Sequence, residues 1–181
     1  MSGKIILISG SPGTGKTSIS KALAENSAYD RTVNIHADDF WQFINKGYIH
    51  PWLEDSGDQN ETVIEAVAAS AKRFSRGGYE VFVDGVIGPW FLEPWIELAK
   101  EGIDVRYIIL RPDKDTTVFR ATTRKQNEYF PLDVEVITNL WDGFSSLGKY
   151  ESHAIDTTGQ TIEESSAIIK QMLFENSFCI I

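Results

Sequence analysis

Residues Gly10-Ser11-Pro12-Gly13-Thr14-Gly15-Lys16-Thr17 carry the spacing G-x-x-x-x-G-K-[ST], and these residue types in this order suit phosphate binding. Glycines let the backbone turn tightly and approach phosphate oxygens with no side chain between. Successive loop amides point inward as an anion nest, and the helix that follows adds its positive N-terminal end. Lys16 reaches the β- and γ-phosphates of a nucleotide, and the Thr17 hydroxyl is placed to coordinate Mg²⁺. Ser18 follows in the first helical turn and is taken with Gly10 to Thr17 as nucleotide-binding. The context is that of a phosphate loop: the apolar run Lys4 to Ser9 precedes it and the helical pattern Ile19, Ala22, Leu23 follows. The cofactors expected are ATP and Mg²⁺.

What such a chain does with the nucleotide depends on the rest of it. A guanine-reading N-K-x-D pattern is missing, since Asn45-Lys46 continues as Gly47-Tyr48. A transporter ATPase would need a longer chain and its own signature. A small phosphotransferase needs a base near the acceptor hydroxyl, a second Mg²⁺ contact and cations around the γ-phosphate. Asp38 and Asp39 follow the second apolar run, at the carboxyl end of a strand, where ligands bind in open parallel sheets. Asp38 is the expected base, accepting or orienting the acceptor's hydroxyl proton, with Asp39 supporting it; the alternative is that both acids cap the next helix. Asp84 ends the run Tyr79-Glu-Val-Phe-Val-Asp84 and is the second metal candidate, the alternative being a turn residue before Gly85. Arg120 and Arg124 share a helix face at i,i+4 spacing and suit a lid that neutralises the transferring phosphoryl group. Arg111 ends the fourth predicted strand at the same rim.

The elements that must hold these residues alternate along the chain. Strands are predicted over Lys4–Ser9, Thr32–Ala37, Tyr79–Asp84, Val105–Leu110 and Ala154–Thr157. Helices are predicted over Lys16–Asn26, Asn60–Phe74, Pro94–Lys100, Thr116–Asn127, Val134–Phe144 and Ile162–Phe174. Strand–helix alternation implies right-handed crossovers and a mostly parallel sheet with helices on both faces. The expectation is therefore an α/β chain with a five-stranded parallel sheet in three layers, the P-loop NTPase fold of nucleoside-kinase-like proteins. It is read as a single domain over residues 1–181, with an acceptor-binding cap at 39–75 and a lid region at 112–150.

Composition narrows the partners. The 181 residues are 42% hydrophobic and 24% charged, with a formal net charge of -9, which argues against a general nucleic-acid binder and against adhesion to anionic membranes. A small molecule is the expected partner. With no basic n-region and no membrane-length apolar run, the expected compartment is the cytoplasm. One cysteine, Cys179, permits neither an intrachain disulfide nor a cysteine metal site; it is read as a tail residue filling an apolar patch. Residues 32 to 71 hold seven acids (Asp38, Asp39, Glu54, Asp55, Asp58, Glu61, Glu65) and one base, Lys46, whereas residues 106 to 125 hold six bases (Arg106, Arg111, Lys114, Arg120, Arg124, Lys125) and two acids. The reading is an acidic acceptor side and a basic phosphate side. Anionic acceptors are usually gripped by arginines, so a neutral or cationic hydroxyl compound is expected. Phe40, Trp41, Phe43, Tyr48 and Trp52 are expected mostly to pack the cap, with one or two flanking a planar or apolar substrate.

The chain resembles the chloramphenicol phosphotransferase-like and zeta-toxin-like P-loop kinases, with kinship to gluconate and shikimate kinases. The resemblance rests on Gly10 to Thr17, His36-Ala-Asp-Asp-Phe40, Tyr79 to Gly85, Arg111, Arg120-Ala-Thr-Thr-Arg124 and Tyr150 to Thr158. It implies a five-stranded parallel sheet, use of ATP and Mg²⁺, Asp38 as base, Arg120 and Arg124 as lid residues, and a loop at Asp156-Thr157-Thr158 bordering the adenine. The long segment from Asn127 to Tyr150, with Trp141 and Phe144, departs from that pattern, and the acceptor is not carried over. Two readings stay open beside the leading one: a nucleotide or sugar-acid kinase, and a module that binds ATP as a signal without transferring phosphate.

Overall fold

β1 (Lys4–Ser9) is buried on both faces, and its side chains alternate between two separate cores. Ile5 and Leu7 enter one cluster, Ile6 and Ile8 the other, which is why this run reads as continuously apolar rather than alternating. β3 (Glu80–Gly85) and β4 (Asp104–Leu110) flank β1. β2 (Thr32–His36) lies outside β3, and β5 (Ala154–Ile155) outside β4, so the parallel sheet runs β2-β3-β1-β4-β5. The computed structural model describes residues 3–123 and 133–181.

Helices cover both faces, as expected. α1 (Lys16–Glu25) and α7 (Ile162–Phe174) pack through Ile19, Leu23 and Ile169 on the face that carries Ile6 and Ile8. On the other face lie α3 (Gly57–Arg76), buried through Val63, Ile64, Val67, Ala68 and Ala71 at helical spacing, and α4 (Glu93–Lys100), buried through Trp95 and Leu98. α7 begins with a capping box, in which the Thr161 hydroxyl and the Glu164 carboxylate satisfy each other's backbone amides. α5 (Lys114–Thr123) and α6 (Val134–Gly143) pack against each other at the carboxyl edge of the sheet. Among the described residues no helix is long and apolar enough to cross a membrane.

Three local expectations change. A five-residue helix, α2 (Asp38–Gln42), follows β2, too short to show a periodicity in sequence. α3 starts at Gly57 rather than Asn60. β5 ends at Ile155, two residues early, because the chain turns away at Asp156. The C-terminal segment docks along β4: the amide of Tyr107 donates to Phe178 (3.0 Å) and that of Ile180 to Val105 (3.2 Å). Phe178 and Ile180 are buried there, while Cys179 between them is exposed beside the Arg106 guanidinium, so the neighbours and not the cysteine fill the apolar positions.

Candidate nucleotide and acceptor site

The loop between β1 and α1 is shaped by its glycines. Gly13 has φ +90°, and a Cβ there would lie 2.4 Å from the Thr117 carbonyl oxygen of α5, so only glycine lets the loop lie against that helix. Gly15 also has positive φ and stands at the start of α1. Lys16 is buried, and its Nζ donates to the Ser11 carbonyl at 2.9 Å across the loop. The Thr14 hydroxyl donates to the same carbonyl at 2.9 Å.

Beside Gly15 a cleft of about 440 Å³ opens between α1, α5 and the start of α7. Thr14, Gly15, Ser18, Arg120 and Thr157 line it, together with Gln160, Thr161, Ile162, Glu163 and Ser165 from the segment that enters α7. The loop at 156–160 is held in place from two sides. The Thr158 amide donates to Asp156 at 2.8 Å, and the Thr158 hydroxyl accepts from the Asp113 amide at 2.8 Å. The Thr158 hydroxyl and, next to it, the Thr158 amide hold the Asp156 carboxyl below its ordinary pKa. The α7 residues lining the cleft carried no motif and were legible only once the fold had brought them beside the loop.

At the other end of the loop, Asp84 is the penultimate residue of β3 and fully buried. Its Oδ2 accepts from the Thr17 hydroxyl at 2.6 Å and from His36 Nδ1 at 2.8 Å. His36 stands opposite Asp84 in the β2–β3 register. The far edge of its ring, Nε2, lies 3.8 Å from Asp38 Oδ2. The hydrogen bond to Asp84 dominates and raises the His36 pKa, burial opposes it, and the charges of Asp84, Asp38 and Asp39 add to the rise. Asp38 is the first residue of α2 with Ala37 at the capping position, so neither aspartate is the helix cap. Tyr48 lies within reach of the Asp38 charge, which together with the stronger effect of burial raises its phenol pKa.

Five buried side-chain polar atoms among the described residues lack a hydrogen-bond partner, and three of them are Ser11 Oγ, Asp84 Oδ1 and Thr157 Oγ1. Buried polar groups are rarely left unpaired, and here they gather at the loop, at its acidic end and in the cleft beside it. Together with a glycine-shaped cradle, this donor and acceptor set fits a phosphorylated nucleotide and a hard cation. Among the described residues no group of three or more His, Cys, Asp or Glu converges as a metal cage.

The segment expected to form the acceptor side is built from α2, the irregular stretch after it, and α3. Trp41 is buried and donates through Nε1 to Asn60 Oδ1 at 3.0 Å. Phe40 and Tyr48 pack partly buried on the main core, and Trp52 packs on Ala121 and Ile137 of α5 and α6, so these rings are chiefly structural. Phe43 points outward, 69% exposed. Trp90, which carried no sequence signal, is half exposed at the same edge. Gly88 would place a Cβ within 2.3 to 2.5 Å of three adjacent indole carbons, so the ring lies face-on over that glycine.

The three predicted rim arginines have different surroundings where they are described. Arg120 lines the cleft. Arg111 is tied down in an ion pair with Glu151 and a bond to the Phe144 carbonyl at 3.2 Å, the structural role that a rim arginine commonly takes. Arg124 lies outside the described residues. The basic balance of residues 106–125 is likewise distributed: Arg106 is buried against the C-terminal segment and Lys114 pairs with Asp142.

Residues 6–135 match the family model described as AAA domain. No curated protein matches the chain. Among solved structures, the fold is similar to an unliganded sugar kinase from Janibacter sp. HTCC2649 (TM-score 0.70, 14% identity, covering 96% of this chain and 95% of that one). It is also similar to shikimate kinase from Acinetobacter baumannii in complex with shikimate (TM-score 0.66, 18% identity, covering 97% of this chain and 95% of that one). A third is the Mycobacterium tuberculosis APS kinase in complex with AMPPNP and APS (TM-score 0.62, 15% identity, 95% of this chain and 98% of that one). At these identities the likeness is one of fold.

Proposed function

The chain belongs to the AAA domain family, and from that membership and the site geometry we propose an ATP-dependent kinase that phosphorylates a hydroxyl of a small molecule. The observation that carries this reading is the bond from Thr17 to Asp84 at 2.6 Å, which joins the phosphate loop to a buried carboxylate with one oxygen unpartnered, beside Asp38. The loop amides and Lys16 bind the phosphates. Arg120 and Thr157 border the nucleotide, Arg120 near the charge that spreads in the transfer. Thr17 and Asp84 would hold Mg²⁺, which when bound neutralises phosphate charge and orients the γ-phosphate. Asp38 orients the acceptor hydroxyl and takes its proton. Solved structures of similar fold, an APS kinase in complex with AMPPNP and APS and a shikimate kinase in complex with shikimate, support a nucleotide and a small-molecule acceptor.

The acceptor is a neutral or cationic hydroxyl compound, in keeping with the resemblance to chloramphenicol phosphotransferase-like kinases. Over residues 39–71 Lys46 is the sole Lys or Arg, so that stretch offers no pair of cations for a carboxylate or phosphate. Acceptor-dependent ADP release across a panel of polyols, amino alcohols, antibiotics, sugar acids and nucleoside monophosphates tests the reading. Release is expected with a neutral or cationic alcohol and is expected to fall about 10²–10⁴-fold in Asp38→Asn with nucleotide affinity kept, whereas Lys16→Ala loses nucleotide affinity. ATP binding without release for any alcohol would favour a nucleotide-signalled module, and release only with anionic acceptors would overturn the substrate class.

A further inference from the structure

His36 is the side chain that reaches both the metal candidate, Asp84, and the candidate base, Asp38. Asp84 Oδ2 accepts two hydrogen bonds, from Thr17 at the start of α1 and from His36 at the end of β2, while Oδ1 is buried with no partner. A carboxylate turns readily about its terminal torsion. Two donors fixed on different elements and sharing one oxygen hold its plane, leaving the second oxygen aimed away from both. On its other edge the same rigid ring faces Asp38 Oδ2 across 3.8 Å. The register that sets His36 opposite Asp84 is continued by the Ala37 amide, which donates to the Asp84 carbonyl at 2.8 Å, so the chain cannot shift one side of the strut without the other.

We infer that His36 is a positioning residue: it orients Asp84 toward the Mg²⁺ of the bound nucleotide and braces Asp38 at a fixed distance from it. The inference rests on the nucleotide-site reading above. It separates two jobs by the two ring nitrogens. Asparagine places an amide nitrogen near the position of Nδ1 but is too short to reach the place of Nε2. His36→Asn therefore keeps the hold on Asp84 and loses the brace on Asp38, and His36→Ala loses both.

Calorimetric titration of AMPPNP, in Mg²⁺ and again in EDTA, reads the first job without any acceptor. Wild-type protein is expected to bind more tightly in Mg²⁺. His36→Ala should lose about 10–100-fold of that Mg²⁺-dependent gain, with the EDTA affinity unchanged, and His36→Asn should restore most of it. Steady-state ADP release from Mg-ATP, with water in the acceptor's place, reads the second: His36→Asn should lower kcat about tenfold with KM for ATP unchanged, since misalignment acts on the transfer and not on nucleotide binding. Thermal unfolding of both variants accompanies the titrations. An undiminished Mg²⁺ gain in His36→Ala, or equal losses of gain in both variants, overturns the hold on Asp84; wild-type kcat in His36→Asn overturns the brace. Wild-type protein whose AMPPNP affinity is indifferent to Mg²⁺ overturns instead the metal site of the proposed function.

Discussion

Arg120 and Arg111 both stand at the carboxyl edge of the sheet, but their surroundings give them different work. Arg120 lines the cleft beside Gly15 and Thr157, where, in the proposed reaction, its guanidinium would face phosphate charge in a partly enclosed space and act on the transferring group. Arg111 spends its donors on Glu151 and the Phe144 carbonyl, and the Glu151 side chain is 53% exposed, so their attraction is screened. Arg120→Ala is therefore expected to reduce ADP release about 10²–10³-fold with little change in unfolding temperature. Arg111→Ala should cost about 0–1 kcal/mol and leave release near wild type. A parallel kinetic and thermal comparison checks both, and similar kinetic losses would return Arg111 to the transfer machinery. Sequence spacing treats these arginines alike, because the partner that separates them, Glu151, lies forty residues from Arg111 along the chain.

The stretch between α2 and α3 has little regular structure of its own, and the first turns of α3 hold it. The Gln59 amide both accepts from the Ile49 amide at 2.8 Å and donates to the Ile49 carbonyl at 2.7 Å. Asn60 donates to the Pro51 carbonyl at 2.7 Å and accepts from Trp41. Losing Asn60 leaves the buried Trp41 Nε1 without its partner, while the Pro51 carbonyl keeps the Ser56 hydroxyl at 2.9 Å, so Asn60→Ala should destabilise by about 2 kcal/mol, read by urea unfolding. Gln59→Ala acts at a half-buried position and should speed hydrogen exchange at Ile49 with a smaller global loss; equal effects from the two would show that the stretch unfolds with the core. This explains which elements could be read in advance. Strands buried on both faces, such as Lys4–Ser9, declare themselves by an unbroken apolar run, and Ile162–Phe174 by its helical pattern. The turn Gly57-Asp58-Gln59 extends α3 without an apolar residue, and α2 is too short for any period, so neither could be bounded from sequence. The phosphate loop was legible because its chemistry is local; the Asp84–His36 pair was not, because it depends on a strand register.

Across the whole molecule the sheet is finished differently on its two edges of β4. β1 covers one edge throughout, but β5 pairs only with Ile109 and Leu110 on the other, leaving the amino-terminal part of that strand to the C-terminal segment. That segment lies antiparallel there, bridging Arg106 and Cys179, and seats Ile180 in one core cluster and Phe178 in the other. Arg106, 6% exposed, donates to the carbonyls of Asn176 (2.8 Å) and Ser177 (3.0 Å) and pairs with Asp104. A bare strand edge invites pairing with another chain, and loss of Phe178 and Ile180 uncovers apolar surface in both cores, while Arg106 keeps Asp104 and Asn176. Removal of residues 177–181 is therefore expected to destabilise by about 3–5 kcal/mol, the scale of losing a large buried apolar side chain, and to favour association, read by thermal unfolding and size-exclusion chromatography. The nucleotide loop lies at the opposite, carboxyl end of the same strands, so AMPPNP affinity measured well below the lowered melting temperature should be unchanged. Restoring the tail with Arg106→Met tests the charge separately: a methionine fills the same volume and needs no acceptors, so the loss should be much smaller than that of truncation. Equal losses would place the stabilisation in the Arg106 bonds themselves, rather than in the strand edge and the two core residues that the tail supplies.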